Sequence, residues 1–428
     1  MREVDAAPRP GNRALAVYLS FWYIVTTSIF ALLYLLPRTR QHLFFLFDPK
    51  ARFSDLTDYA GKVALLHTQG SVAFGRGLPV FNYPAAAALL YDFFLHLFAH
   101  PVRAYLAVAL CGLLAAAMVP IAAAQRQTRL MMVAVAGTLY FSYPVLFCLD
   151  RGNLEIVVWI PLAAGLILIL SGRPVAGAVA VGIAAACKPF PAAFLLLLLV
   201  RRQYRAFAAG VAAFVIVYGV SLTVLGPTPL TAYRNLQPGF AVYYAHYVLG
   251  YLGAGEQRFL HSLLDMLKVI RASLGHFQHP RRTPEYFETA ATAAPLLPLY
   301  FALVAVIGAV MAWTLWRKPV LNQLLGIALA ITLLPPASAD YTLLQLLVPI
   351  AAIAFAVLDR VTENGLPSTR KMLLFFVPFA LLMTPLTYHG KAQTLLHGGL
   401  LLILIAATCT VALPSRFDRS MLAASSLQ

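Results

Sequence analysis

Apolar residues in this chain come in long blocks separated by short polar or basic stretches, from the first tens of residues almost to the C-terminus. They do not alternate as in strands, and most do not form the stripe of a soluble amphipathic helix. A run of about twenty apolar residues is the length of helix that crosses a bilayer core. A helix also satisfies its own backbone there. The blocks predict spans at Leu15–Leu36, Val102–Ala124, Leu130–Leu149 and Leu154–Leu170. Two short arms meeting at Lys188 follow, then Phe207–Leu225, Leu296–Trp316, Leu321–Leu334, Leu343–Leu358, Met372–Tyr388 and Leu395–Leu413. With the arms counted as two, about twelve spans result.

Composition agrees. The chain is 61% hydrophobic and 11% charged, with mean hydropathy +0.78, against about 25% charged in a soluble domain. Lipid is the expected solvent, and residues 1–428 read as one membrane domain. The net charge of +16 would suggest nucleic acid in a soluble protein. Here it is assigned to cytoplasmic loops and anionic headgroups, with no nucleic-acid partner. Cys111, Cys148, Cys187 and Cys409 form no close pair, so neither a Cys-rich zinc site nor a disulfide framework is predicted. Arg2, Arg9 and Arg13 precede an apolar run longer than a secretory signal core, which predicts an uncleaved first span with its basic end in the cytoplasm.

One segment decides the topology. Pro84–Ala99 is apolar but roughly sixteen residues long, short of the twenty or so a span needs, and carries Asp92 and His96. If it does not cross, every short basic loop falls on the cytoplasmic side: Gln125–Arg129, Arg173, Arg201–Arg205, Arg317–Lys318, Arg360–Lys371 and Arg416/Arg419. The positive-inside rule then places both termini in the cytoplasm, and roughly eleven of the sixteen acids on the outer side or its rim. A site is expected on that outer face. Residues 37–100 and 226–294 form two long outer loops. Within the second, His261–Leu274 has apolar residues at 263, 264, 267 and 270, predicting an interfacial helix with its polar face outward.

Several motifs stand at the predicted outer rim. In Asp55-Leu-Thr-Asp58-Tyr59, continuing to Lys62, the two acids and the lysine share one helix face. Paired carboxylates suit a general base on a sugar hydroxyl; the same acids also complement a helix N-terminus. Asn82-Tyr83-Pro84 reads as a helix start. Asp150-Arg151-Gly152-Asn153-Leu154-Glu155 is either a capped turn or a loop whose Arg151 grips a phosphate. Lys188 sits at an apolar hairpin tip between a small-residue arm and Pro189-Phe190-Pro191. It either snorkels to the interface or meets the phosphate of a lipid-linked donor. Asp340, in Pro335-Pro-Ala-Ser-Ala-Asp340-Tyr341, either starts the next helix or contacts a substrate hydroxyl. No His-Glu-x-x-His, Walker or Gly-rich dinucleotide pattern occurs. The lack of a nucleotide-binding pattern points to a lipid-linked donor. Nothing in the spacing of Asp55, Asp58 and nearby histidines demands a divalent ion, so no metal or cofactor is predicted.

Taken in order, Asp55-Leu-Thr-Asp58-Tyr59, Asn82-Tyr83-Pro84, Asp150-Arg151-Gly152-Asn153, the Ala-rich arm ending Lys188-Pro-Phe-Pro191, Arg201-Arg202, His261-Ser-Leu and Ser338-Ala-Asp340-Tyr341 resemble glycosyltransferase family 87 (the DUF2029 group) of the GT-C superfamily. That resemblance implies an all-α, polytopic GT-C bundle with outer juxtamembrane helices. It also implies a polyprenyl-phosphate sugar as donor, mannose-like transfer, and a catalytic Asp in the first outer loop, with Asp55 best aligned and Asp58 second. The chain has Tyr83-Pro84-Ala85 where the family often has Tyr-Pro-Pro, and Arg151-Gly-Asn153 where it often has Gly-Gln-x-Asn.

The expected activity is that of an inverting hexosyltransferase in a bacterial plasma (inner) membrane. Asp55 serves as base, and Arg151 and Lys188 hold the donor phosphate. Asp58, Tyr59, Asn153, His261 and Asp340 lie toward the acceptor, a glycolipid or glycan. A transporter or lipid flippase is the alternative class. It predicts mid-bilayer charges and inverted repeats, whereas here charges gather at span ends and no repeat is visible; a non-catalytic scaffold is a third.

Overall fold

The computed structural model describes residues 24–26, 28, 52–75, 81–97, 100–124, 128–250, 259–274, 293–358, 369–384, 391–415 and 417–418. Most of the predicted first span, the beginning of the first long loop, 275–292 of the second loop and the basic loop at 359–368 lie outside the described residues. Within them every regular element is helical, and an isolated antiparallel bridge joins Leu260 to Ala339.

Among the described residues, the bundle is preceded by α1 (Ser54–Ala64), a single helical turn at Leu66–Gln69 with a 3₁₀ turn at Gly70–Gly75, and α2 (Ala85–Leu97). With 13 residues, α2 is too short for a span of about twenty. Its Tyr91 joins Tyr59 of α1 and the connecting Phe81 and Tyr83 in one aromatic cluster with ring centroids 4.9–6.2 Å apart. Then come α3 (Pro101–Ala123), α4 (Arg129–Tyr140) and α5 (Tyr143–Arg151). Sequence reading predicts one span over Leu130–Leu149; the structure bends it by 46° between α4 and α5. Pro144 is the cause. It has no N–H to donate back to the preceding turn, and the amide of Tyr143 bonds instead to the carbonyl of Met383 at 2.9 Å.

The centre is built by α6 (Glu155–Leu170) and α7 (Pro174–Cys187). The small-residue character of α7 has a packing consequence. A Cβ on Gly177 would lie 2.5 Å from the carbonyl oxygen of Gly165, and one on Gly165 would lie 2.7 Å from that of Gly177. The two backbones touch there, as small residues permit in membrane bundles. After Lys188 the chain returns through a 3₁₀ turn (Phe190–Leu195) and α8 (Leu196–Val200) into α9 (Tyr204–Leu225). The helices α10 (Pro229–Tyr243) and α11 (Leu263–Ser273) follow. The remainder is α12 (Leu297–Leu315), α13 (Val320–Leu333), α14 (Leu347–Leu358), α15 (Thr369–Leu382) and α16 (Lys391–Thr410), with a 3₁₀ turn at Asp340–Leu346 leading into α14.

Five described helical stretches are long and apolar enough to cross a membrane, or six if the bent α4–α5 pair is one span. They are α3, α9, Ala294–Leu315, Asp340–Leu358 and Ala392–Thr410. The helices α13 and α14 bury nearly all their side chains, and α6 buries most of its own. By contrast α3, α9 and α12 expose large apolar groups such as Leu114, Ile216 and Trp313. Apolar side chains on an outer wall require lipid against them, so the chain is an all-α, multi-pass membrane protein.

The turn of α11 differs from its predicted orientation. Its periodicity predicts Leu263, Leu264, Leu267 and Ile270 on one apolar face with the polar residues opposite; Leu263 and Leu264 are buried, but the polar residues are not left outward. Instead Asp265 and Lys268 are buried, and Ile270 is exposed. Lys268 Nζ donates to the carbonyl of Tyr247 at 2.7 Å and to Asp265 at 3.2 Å, so the pair carries its own partners inward. Burial pushes the Asp265 carboxyl up, offset first by Lys268. Burial lowers Lys268, offset by Asp265.

Polar groups separate to the two ends of the bundle. Arg201 reaches Asp418 at 2.8 Å, Gln323 at 2.8 Å and the carbonyl of Lys318 at 3.1 Å, beside the start of α13. The far end of α13 leads to Asp340. Its 14 residues rise by 1.5 Å each, which puts the two ends about 20 Å apart.

Candidate active site

The site is assembled by the turn between α5 and α6. Arg151 ends α5, and Gly152 follows in the left-handed conformation at φ 65°. A side chain there would meet Leu56 Cβ at 2.7 Å and Phe53 at 3.3 Å, so glycine is required by both conformation and space. Asn153 then accepts the Glu155 amide through Oδ1 at 2.9 Å, capping α6. Tyr105 donates to the carbonyls of Cys148 and Asn153 at 2.9 and 3.0 Å, fixing the turn from below. The amide of Phe53 bonds to the carbonyl of Asp150 at 2.7 Å and seats the start of α1 on the same turn.

That seating places Asp55. Arg151 Nη2 donates to Asp55 Oδ1 at 2.5 Å, and Asn153 Nδ2 donates to Asp55 Oδ2 at 2.8 Å. Both carboxylate oxygens are therefore engaged, and the two donors fix the plane of the group. Asp55 and Arg151 remain about one-fifth exposed, at 17% and 21% of their side chains. Asp58, one turn on, faces solvent. Its carboxyl is raised first by partial loss of water and then by the charge of Asp55, with Arg151 opposing. Tyr59 lies between Asp55 and the aromatic cluster, and burial, followed by the Asp55 charge, keeps its hydroxyl protonated.

Directly beyond lies Lys188. The lone cation at an apolar tip needs a counter-charge, and the fold supplies one in Glu155. Lys188 Nζ meets Glu155 Oε2 at 2.5 Å, while Gln345 Nε2 donates to Oε1 at 2.5 Å. The ammonium also lies 5.3 Å from the Tyr83 ring centroid and 4.8 Å from that of Tyr341, both within cation–π range. Asn153 and Glu155 thus join two ion pairs, Asp55–Arg151 and Glu155–Lys188, into one polar network at one end of the bundle.

Asp340 forms a second hub behind Tyr341. It is fully buried. Its Oδ1 lies 2.9 Å from His261 Nδ1 and 3.0 Å from His397 Nδ1. Its Oδ2 accepts Tyr143 at 2.7 Å and Gln393 at 3.0 Å. The backbone holds this arrangement through His261 N to Ser338 O at 3.0 Å and Asp340 N to Phe259 O at 2.8 Å.

Sequence reasoning assigned no role to Glu155, Gln345, Tyr83, Tyr143, Gln393 and His397. Glu155 had a signal, since it ends the same rim motif as Arg151. Tyr83 had one too, in Asn82-Tyr83-Pro84, whereas Gln345, Tyr143, Gln393 and His397 come from separate segments with no local pattern to join them. An apolar cavity of about 350 Å³ lies elsewhere, among α3, α6 and α14, lined by residues such as Val119, Leu170, Ala351 and Phe355.

Fold and site together define an all-α, multi-pass membrane protein with acids, cations and aromatic rings gathered toward one end of its bundle. The particular family follows from the sequence: residues 81–336, more than half of the chain, match glycosyltransferase family 87, and the chain is a member of that family, a membrane glycosyltransferase. No curated protein matches the chain. The matched region starts after Asp55 and Asp58 and includes Arg151, Asn153, Lys188 and His261.

Proposed function

We propose that the protein transfers a mannose-like hexose from a polyprenyl-phosphate donor to a hydroxyl of a glycolipid or glycan, with inversion. The reaction takes place at the outer face of a bacterial plasma membrane. About twelve spans and two cytoplasmic termini follow from the positive-inside pattern, and residues 1–428 act as one domain. The observation that carries this reading is the Asp55 carboxylate, held by Arg151 and Asn153 at a partly exposed rim with a second cation one pair away.

The acceptor hydroxyl donates to a free lone pair of Asp55. As its oxygen attacks the anomeric carbon, the proton passes to Asp55 and the bond from that carbon to the phosphate oxygen breaks. The electron pair leaves with the polyprenyl phosphate. Arg151, the more exposed cation, grips the phosphate, and Lys188 beneath it stabilises the growing charge. No covalent intermediate is required. Asp58, Tyr59 and Asn153 border the acceptor. His261 and Asp340, enclosed behind Tyr341, orient it at one remove by fixing that ring.

The test is Asp55→Asn in proteoliposomes with labelled polyprenyl-phosphate mannose. Transfer is expected to fall at least a hundredfold while insertion and thermal stability persist. Full activity in that variant removes Asp55 from the role. Movement of the labelled lipid between leaflets without glycosidic bond formation instead identifies a flippase.

A further inference from the structure

The hub around Asp340 has the composition and placement of a metal site. We propose that His261, Asp340 and His397 bind one divalent transition-metal ion of the zinc type, through the Nδ1 atoms of both rings and Oδ1 of the carboxylate. The proposal goes beyond the transfer reaction and does not depend on it.

Three observations carry it. The three ligand atoms lie within 4.8 Å of one another, from three segments far apart in sequence. Both Nδ1 atoms converge on the same oxygen, at 2.9 and 3.0 Å. Bonds of about 2.0–2.2 Å to one tetrahedral ion set neighbouring ligand atoms about 3.3–3.6 Å apart, so the rings need to move outward by only about half an ångström to admit it. Second, two imidazoles and one carboxylate suit zinc and its first-row neighbours, whereas magnesium and calcium take oxygen ligands.

Third, the outer partners are already in place. Oδ2 of Asp340 is held by Tyr143 and Gln393, which leaves Oδ1 facing the two rings. His261 Nε2 faces the hydroxyls of Ser338 and Thr342, each at 3.3 Å, which fixes that ring with Nδ1 turned inward. Such outer hydrogen bonds orient ligands in metal centres. His397 Nε2 is buried without a hydrogen-bond partner among the described residues, so Nδ1 is the polar contact that holds this ring. The ligands are fully buried, so the ion is a positioning element and does not touch substrate. It ties α16 and the lead into α11 to the turn carrying Tyr341, whose ring supports Lys188. Asp340 and His397 lie beyond the region that defines the family match.

The experiment uses the full chain, purified in lipid nanodiscs with a tag free of histidine. Metal content is measured as isolated, after chelation, and after return of zinc. About one ion per chain is expected, with a fall of at least tenfold in Asp340→Asn and in His397→Ala and full retention in Asp55→Asn. Chelation is expected to lower the Tm of the wild type, and zinc to restore it. If the variants do not fold, the wild-type metal content and Tm shift decide alone. A wild type that takes up less than a tenth of an ion per chain, with Tm indifferent to chelator and zinc, overturns the proposal and leaves two imidazole hydrogen bonds to Asp340. Full metal content in folded Asp340→Asn and His397→Ala also overturns it.

Discussion

Glu155 and Lys188 make the most consequential single contact in the chain. Each is nearly inaccessible to solvent, at 1% and 7% of the side chain, so each depends on the other for a counter-charge. Glu155→Gln leaves a buried ammonium without a carboxylate, which costs on the order of 3–5 kcal/mol. A marked drop in Tm is expected, with much of it recovered in Glu155→Gln/Lys188→Met, where both charges are gone. A single variant as stable as the wild type contradicts the pairing. Asp58 behaves in the opposite sense. Its folded pKa is raised above 3.8, so its contribution to stability is present below the unfolded value and is lost as pH rises through the folded one. Asp58→Asn is therefore expected to raise Tm slightly near neutral pH, with the gain shrinking as pH falls toward 4. Melting curves from pH 4 to 8 check this, and a gain that grows on acidification contradicts it. The rim motifs that hold Asp55, Arg151 and Asn153 were legible in the sequence, but their direct contact was not, because 96 and 98 positions separate Arg151 and Asn153 from Asp55. The Glu155–Lys188 pair was half legible: Lys188 visibly needed a partner, but the partner comes from 33 positions away.

At the level of helices, the crossing of α6 and α7 sets where Lys188 ends up. Gly177→Ala gains up to about 1 kcal/mol of helix propensity. The new methyl, however, meets the carbonyl oxygen of Gly165, a backbone atom that cannot rotate away, and overpacking of that kind costs about 1–3 kcal/mol. A net loss of stability is expected. Gly219→Ala in α9, where a Cβ meets nothing within 4 Å, is the control and is expected to be neutral or stabilising. Equal responses at the two sites contradict the close crossing. The small-residue arm announced this contact through its composition. The orientation of α11 was not legible, because periodicity weighs apolar residues alone. The helix is turned instead by Lys268, which finds the carbonyl of Tyr247 and Asp265 inside. The break between α4 and α5 was signalled by Pro144, but the run Leu130–Leu149 is apolar enough to read as one straight span.

Across the whole molecule, the polar networks are segregated toward opposite ends of the bundle. Basic groups meet near Arg201 at one end of the bundle, and the Asp55 network and the Asp340 hub stand toward the other. Hydropathy anticipated the all-α, multi-pass architecture, since it is summed over many residues and tolerates errors at single positions. The Asp340 hub escaped it because its members are separated by 79 and 57 positions, with no local pattern to join them. The proposed reaction has Asp55 accept a proton from a sugar hydroxyl while Arg151 and Lys188 hold the departing phosphate. Its most direct test is the single-turnover rate of glycosidic bond formation from a polyprenyl-phosphate sugar by wild type and Asp55→Asn, with donor binding measured on the same samples. The variant is expected to bind donor within a few-fold of the wild type and to form almost no product; comparable rates of bond formation in the two proteins would rule out Asp55 as the base.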